Sequence, residues 1–314
     1  MTTDSNRVLI TGGAGFIGSH LAEYLVKLGY RVTVVDDLST GSQENLGDLL
    51  PQIELVVGDI AEILQNGIFQ LEQFSLIFHL AANPYIPPSV ENPLFDYRLN
   101  LHNTLILLEA LRSMSRSPRL INVSSAAVYG NPSSLPIRET DPTVPISPYG
   151  VSKLAAERYV SVYSQIYGIP ATSVRLFSVY GPKQHKQVIY DLLVHLRKNP
   201  PYLEVLGDGS QSRDFTYVDD VVRAMSHIAT EAPAKGEVFN VASGKTHSIS
   251  DMVSHLCHLH NRSPEVKYTG KIRYGDAEKW VVDISRLRQL GFQPQTTLED
   301  GLVAVKAWYD GISR

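Results

Sequence analysis

The stretch ITGGAGFIGSH places Gly12, Gly15 and Gly18 three apart, after the β-branched run RVLIT (7–11) and before the apolar-periodic segment FIGSHLAEYLVKLG (16–29). A glycine triplet alone could be no more than a turn. Between a strand and a helix it gains a chemistry: glycines let the backbone approach a pyrophosphate closely, and the helix N-terminus offers free N–H groups and partial positive charge. The spacing here is GxxGxxG, not the commoner GxGxxG. About twenty residues on, RVTVVD ends at Asp36, where a carboxylate can accept hydrogen bonds from an adenosine ribose. The adjacent Asp37 would repel a 2′-phosphate, which predicts NAD over NADP. Asp59 closes a third run, IELVVGD (53–59), in reach of an adenine amino group.

With a nicotinamide cofactor expected, the segment SPYGVSK acquires a role. Tyr149 and Lys153 are four apart on a predicted helix, so they share one face. A phenol with an ordinary pKa of about 10 is a poor base at neutral pH. A neighbouring ammonium and a positively charged nicotinamide both favour the phenolate, and each unit of depression is worth about 1.4 kcal/mol. Tyr149 is therefore read as general base and acid, and Lys153 as the group that tunes it and holds the nicotinamide ribose. Upstream, NVSSAAVYG ends a strand-like run in Ser124 and Ser125. Either hydroxyl could hydrogen-bond a reacting sugar hydroxyl and the Tyr149 phenol, or simply satisfy a turn.

The elements that must position these residues alternate in type. Strand candidates are 7–11, 31–36, 53–59, 75–81 and 120–125; helical patterns fill 16–29 and 93–112, the latter with Leu94, Tyr97, Leu101, Leu105 and Leu108 at helical spacing. A long helix opens at Ser147-Pro148 and closes at Gly168, and a further strand covers 172–181. Such alternation predicts an α/β fold, a doubly wound (Rossmann) parallel sheet, with a smaller, α-rich substrate-binding domain. Residues 1–175 are assigned to the cofactor domain, with return segments at about 213–243 that include a helix at 219–232 and a strand at 237–243. Residues 176–212 and 244–314 form the substrate domain.

Composition bounds the rest. The chain of 314 residues is 43% hydrophobic and 19% charged, with a formal net charge of −4, values of an ordinary globular protein without a nucleic-acid or anionic-membrane footprint. The single cysteine, Cys257, rules out an internal disulfide, and MTTDSNR lacks the apolar core of a signal peptide. No run is long enough to span a membrane, and a cytoplasmic location is expected. His255, Cys257, His258 and His260 spread around a predicted helix, so no metal site is expected. A GxSxG nucleophile elbow is absent, which removes hydrolase chemistry.

The stretches TGGAGFIGSH, VVDDLSTG, GDI, HLAA, SSAAVYG, PYGVSK, RLFSVYGP, GDGSQSRDFTYVDD and RYGD run in family order over nearly the whole chain. With them the sequence resembles the extended short-chain dehydrogenases/reductases, specifically the NAD-dependent nucleotide-sugar epimerases and dehydratases. The resemblance implies a catalytic set of Ser125, Tyr149 and Lys153. It implies NAD contacts from Gly12, Gly15, Phe16, Ile17, Gly18, Asp36, Asp37, Asp59, Ile60, Leu80, Ala81, Ala82, Asn100, Ser124, Tyr149, Lys153 and Phe177. It implies substrate contacts from Ser125, Ser178, Val188, Arg213, Arg273, Asp276 and Trp280, with Arg213, Arg273 and Asp276 on the nucleotide diphosphate and its ribose. A homodimer, packed through helices at about 95–113 and 149–168, is implied as well.

Members of this family diverge after a shared first step at C4 of the sugar. The 4,6-dehydratases resemble one another in carrying Asp-Glu after the catalytic hydroxyl residue, and the decarboxylases a Glu nearby; here both positions are alanine, Ala126 and Ala127. Their absence points to 4-epimerisation. Trp280 stands where a bulky residue restricts the sugar pocket in the UDP-galactose 4-epimerases, which points to UDP-glucose and UDP-galactose. Ser178, in place of the common Asn, and Asn83-Pro84-Tyr85 after HLAA depart from that pattern. A UDP-glucuronate 4-epimerase, a 4,6-dehydratase or decarboxylase, a net sugar or sterol oxidoreductase and a non-enzymatic NAD-binding scaffold are the alternatives.

Overall fold

The computed structural model describes residues 6–67, 69–271 and 279–312. Seven strands form its central sheet: β1 (Arg7–Thr11), β2 (Arg31–Asp36), β3 (Glu54–Val57), β4 (Leu76–His79), β5 (Arg119–Ser125), β6 (Ala171–Leu176) and β7 (Lys235–Val241). Their spatial order is 7-6-5-4-1-2-3, and every pairing is parallel. A parallel sheet must be covered on both faces, so its strands are apolar on both sides. In β1, Val8 and Ile10 join one core cluster while Leu9 joins the other. The first cluster packs helix α1 (Phe16–Lys27) and α7 (Val218–Glu231) on one face. The second seats Leu107, Leu108 and Leu111 of α5 (Asn103–Arg112) and Val160 of α6 (Pro148–Tyr167) on the other.

The remaining helices on that second face are short: α2 (Ile60–Gln65), α3 (Ile86–Glu91) and α4 (Pro93–Tyr97). The single helix expected over 93–112 is broken, because Arg98–His102 forms a turn of π-helix between α4 and α5. That wider turn shifts the helix register. Leu108 is buried, Leu101 and Leu105 are half-buried, and Leu94 and Tyr97 face solvent; the buried side is instead Asp96, Leu99, Asn100, Asn103 and Thr104. The strand expected over 172–181 also divides. β6 stops at Leu176, and Ser178–Tyr180 leaves the sheet to pair with Phe215–Tyr217. Beyond it lie small strand pairs, Tyr202–Val205 with Glu265–Tyr268 and Ser212–Arg213 with His247–Ser248, and the helices Val188–Arg197, Ile249–Leu259 and Leu298–Ile312. No helix among the described residues is long and apolar enough to cross a membrane, and no group of metal-ligating side chains occurs among them.

Candidate active site

The strand order reverses between β1 and β4, and ligands of open α/β sheets sit at the carboxyl ends of strands at such a reversal. The glycine loop leaves β1 there. Gly12 adopts φ +73°, and a Cβ on it would lie 2.7 Å from the backbone nitrogen of Ala81, so the loop rests directly on the backbone of the segment leaving β4. Gly18 lets the first turn of α1 press on the loop, since a Cβ there would come within 2.2 Å of the Gly12 carbonyl oxygen. Gly15 differs. It is the helix N-cap with no side-chain cap, and a Cβ on it would touch only the Gly12 carbonyl, at 3.3 Å. The N–H groups of the first helical turn, around Phe16, Ile17 and Gly18, therefore keep the uncapped anion-binding character of a helix start.

Asp36, at the end of β2, is buried and accepts from the Ala14 N–H at 2.8 Å and the Leu38 N–H at 2.9 Å, so it braces the glycine loop; burial pushes its carboxyl above the usual range. Asp37 is exposed and accepts from the Ser39 N–H and hydroxyl. Asp59 caps α2 by accepting from the Ala61 N–H at 2.8 Å, and its second oxygen accepts from Asn103 Nδ2 at 2.9 Å. Ile60 beside it is core. Leu80, Ala81 and Ala82, half-buried, continue from β4 alongside Gly12.

Ser124 and Ser125 end β5, the next strand. Ser124 is buried, and its hydroxyl has no hydrogen-bond partner among the described residues. An orphaned buried hydroxyl at this edge, a glycine cradle and an uncapped helix start are what a bound dinucleotide completes, so these residues fit NAD. Ser125 Oγ accepts from the Ala127 N–H at 3.2 Å and is the hydroxyl that acts on the Tyr149 phenol, favouring its ionised form. Of the two serines left open by the sequence, Ser125 therefore faces the tyrosine.

Tyr149 and Lys153 lie in the first turns of α6, which Ser147 caps through the Gly150 N–H and Gly168 closes at φ +72°. Ser89 of α3 accepts from the Tyr149 N–H at 3.1 Å, fixing the helix start. Lys153 is buried and donates from Nζ to the Val123 carbonyl of β5 at 2.9 Å. The Lys153 ammonium is thereby tied to the strand that ends in Ser124 and Ser125. Burial pushes the phenol above 10, the Ser125 hydrogen bond opposes this, and the negative charge of Asp96 adds to it. Burial likewise lowers Lys153 to about 8, against the pull of Asp96.

Beneath the site runs a chain of buried hydrogen bonds. Thr104 Oγ1 donates to the Asn100 carbonyl at 2.8 Å, so it accepts from His79 Nε2 at 3.1 Å. His79 Nδ1 is then an acceptor, taking the Thr11 hydroxyl at 2.7 Å, and Thr11 in turn accepts from the Ala81 N–H. Burial holds this histidine neutral, at about 3, with the nearby Lys153 charge acting in the same direction. The sequence reading assigned no role to His79, Thr104, Ser89, Asp96 or Ser152, and marked Asn83 only as a departure from the family pattern. For Asp96 and Thr104 the signal was a polar residue within the apolar pattern of 93–112, on what looked like its solvent side.

On the substrate side, buried Phe177 is flanked by Tyr129, at 6.2 Å, and by Trp280, edge-on at 5.5 Å. Trp280 is also held by its N–H to the Ser212 carbonyl at 3.0 Å. Ser178, half-buried, opens the short strand beside Phe215, and Val188 starts a helix after Gln187 at φ +77°. Arg213 is placed by Asp214, whose fully buried carboxylate accepts from the Ser243 N–H and hydroxyl, the Thr216 hydroxyl and the Gly244 N–H. Arg273 and Asp276 lie outside the described residues.

Comparison with known proteins agrees with this architecture. The family model described as GDP-mannose 4,6 dehydratase matches residues 9–305. The UDP-N-acetylglucosamine 4-epimerase of Methanobrevibacter ruminantium, in complex with UDP-N-acetylmuramic acid, superposes with a TM-score of 0.90 at 30% identity over 98% of this chain and 99% of that one. The UDP-glucose 4-epimerase of Thermotoga maritima, with UDP-glucose, gives 0.89 at 32% identity, covering 98% and 100%. The UDP-glucuronic acid 4-epimerase of Bacillus cereus, with UDP-glucuronic acid and NAD, gives 0.86 at 30% identity, covering 98% and 99%. With its parallel sheet, glycine cradle and Ser-Tyr-Lys arrangement, the chain belongs to the GDP-mannose 4,6-dehydratase family of extended short-chain dehydrogenases/reductases.

Proposed function

We propose that this protein is an NAD-dependent nucleotide-sugar 4-epimerase acting on UDP-glucose and UDP-galactose. The observation that carries the reading is that Ser125, at the end of β5, acts on the Tyr149 phenol at the sheet edge, while the two positions after the serine are Ala126 and Ala127 and offer no acid or base. NAD, when bound, supplies the hydride acceptor and donor. Tyr149 takes the proton of the sugar 4-hydroxyl as C4 is oxidised and returns it after the 4-keto sugar has presented its other face. Ser125 aligns the phenol and the sugar oxygen, and Lys153, anchored to Val123, holds the cofactor ribose. With alanine at 126 and 127, no group is offered for elimination at C5 and C6, so the 4-keto sugar is reduced again in place.

In this reading residues 1–175, with 213–243, hold the cofactor, as the packing of α7 and β7 on the main sheet supports. Residues 176–212 and 244–314 hold the nucleotide sugar, with Ser178, Val188, Arg213, Arg273, Asp276 and Trp280 as its contacts. Trp280, braced by Phe177, supports an unsubstituted hexose over an N-acetylated one. Asp36 and Asp37 support NAD over NADP. A lone cysteine supports a reducing, cytoplasmic setting. A homodimer is supported by apolar side chains left in solvent on α4 and α6: Leu94 at 80% exposure, Ile166 at 67%, and Tyr97, Val151, Val162 and Tyr167.

The test is incubation with NAD and, separately, UDP-glucose, UDP-glucuronate and UDP-N-acetylglucosamine, read by proton NMR. The C4 epimer of UDP-glucose, with unchanged mass and no net NADH, is expected. A 4-keto-6-deoxy or pentose product would overturn the reaction, and turnover of only one of the other two sugars would overturn the sugar.

A further inference from the structure

The described part of the site includes one buried carboxylate that the mechanism does not use. Asp96, in the last turn of α4, is 1% exposed and has no ion-pair partner within 4.0 Å among the described residues. It is nonetheless fully hydrogen-bonded. Oδ1 accepts from Asn83 Nδ2 at 2.8 Å and Asn100 Nδ2 at 3.0 Å, and Oδ2 accepts from Ser152 Oγ at 2.6 Å. Asn100 also donates to Ser152 Oγ at 3.1 Å, and its own oxygen accepts from the Asn83 N–H at 2.7 Å. Three separate elements meet on this one carboxylate. Asn83 belongs to the segment that leaves β4 beside the glycine loop, Asn100 to the π turn, and Ser152 to α6, next to Lys153. A buried ionised group is costly unless bonded, and a network of this kind is worth keeping only where it fixes a geometry or a charge.

We propose that Asp96 is a positioning residue of the active site, whose carboxylate pins α6 to the β4 exit through Ser152 and Asn83 and supplies the negative charge facing Tyr149 and Lys153. The proposal rests on the epimerase reading for its kinetic consequence, but not for its electrostatic one. The groups around the pair are few. Ser125 and Asp96 act on Tyr149, Asp96 acts on Lys153, His79 is neutral and is acted on by Lys153, and Tyr85 stands at the N-cap position of α3. Asp96 is thus tied through Ser152 to the helix turn that carries Tyr149 and Lys153, and its charge acts upward on both groups.

The experiment titrates Tyr149 by the ultraviolet difference spectrum of tyrosinate, wild type against Tyr149→Phe, in Asp96→Asn and Ser152→Ala proteins with and without NAD. Asp96→Asn removes the charge and nearly keeps the shape; it should move the Tyr149 titration to lower pH by about half a unit or more, and the kcat pH profile with it. Ser152→Ala keeps the charge and removes the tie to α6; it should leave the titration in place and lower kcat roughly tenfold at unchanged KM, as expected when a positioning contact is lost. A Tyr149 titration in Asp96→Asn that superimposes on wild type overturns the electrostatic role. Unchanged kcat in Ser152→Ala overturns the anchoring role, including in the event that Asp96→Asn fails to fold. A wild-type protein that epimerises no sugar would instead overturn the function proposed above, because the spectroscopic titration needs no turnover.

Discussion

At the scale of single residues, the site is a phenol, a hydroxyl and an ammonium held in three different ways. Ser125 acts on the Tyr149 phenol, Lys153 is bonded to the Val123 carbonyl, and the charge of Asp96 acts on both Tyr149 and Lys153. Because burial pushes the phenol up, this protein without its cofactor contains a protonated tyrosine at neutral pH. Replacing Tyr149 by Phe is expected to lower kcat by 10²–10⁴, roughly the worth of a positioned general base, while NAD binding measured by fluorescence stays within a factor of about three. Loss of both together would mean that the tyrosine serves binding and not proton transfer. The types and spacing of these residues were legible in SPYGVSK and NVSSAAVYG. The direction of the tyrosine's shift was not, because it depends on how much water the folded site excludes.

At the scale of elements, two joints matter most. The first is the contact of α1 with the glycine loop, where Gly18 leaves no space for a methyl group against the Gly12 carbonyl oxygen. Gly18→Ala should push helix and loop apart and reduce NAD affinity at least tenfold, with the circular dichroism of the sheet retained; unchanged affinity in calorimetry would show that the loop can yield. The second joint lies under Ser125. Arg175 of β6 and Glu157 of α6 form a fully buried pair with a bond of 2.9 Å from Nε, and Arg175 also donates to the Tyr129 hydroxyl at 2.6 Å. Tyr129 ends the turn Ala126–Tyr129 that follows Ser125, so this pair locks α6 to the serine strand. Arg175→Ala strands the Glu157 charge and should cost about 3–5 kcal/mol in urea unfolding. A loss under about 1 kcal/mol would mean that water reaches the vacated position. The GxxGxxG loop announced the first joint in the sequence; the second rests on residues from distant parts of the chain.

At the scale of the whole molecule, acid sensitivity and assembly follow from burial. His79 is held at about 3 against an ordinary 6.5, so the unfolded chain binds a proton that the native state refuses between these values. Stability therefore rises with pH from about 3 to 6.5 and falls as pH drops through that window, by up to roughly 5 kcal/mol in full. Thermal melts of His79→Asn should show a flatter acid limb than wild type; parallel curves would place the acid sensitivity elsewhere. The exposed apolar residues of α4 and α6 give the proposed dimer its own test. Ile166→Glu should convert a dimer of about twice the 34.8 kDa chain mass to a monomer in light scattering, whereas a wild-type monomer would remove the assembly.

The sequence by itself determined what depends on local pattern. The first five strands, the long helix with its serine cap and glycine stop, the glycine loop between strand and helix, and the placing of Tyr149 and Lys153 on one helix were readable, because turn chemistry and hydrophobic periodicity are written in neighbouring residues. Tertiary structure alone decided what depends on packing. It broke the expected helix over 93–112 with a π turn and turned Leu94 and Tyr97 outward, bringing Asp96, Asn100 and Asn103 inside. It set Ser125 to act on the tyrosine and left the Ser124 hydroxyl without a hydrogen-bond partner among the described residues. It gave Asp59 a capping role and Lys153 a carbonyl. A polar side chain on a helix reads the same in sequence whether it meets water or a buried carboxylate. Only the neighbours supplied by the rest of the fold distinguish the two.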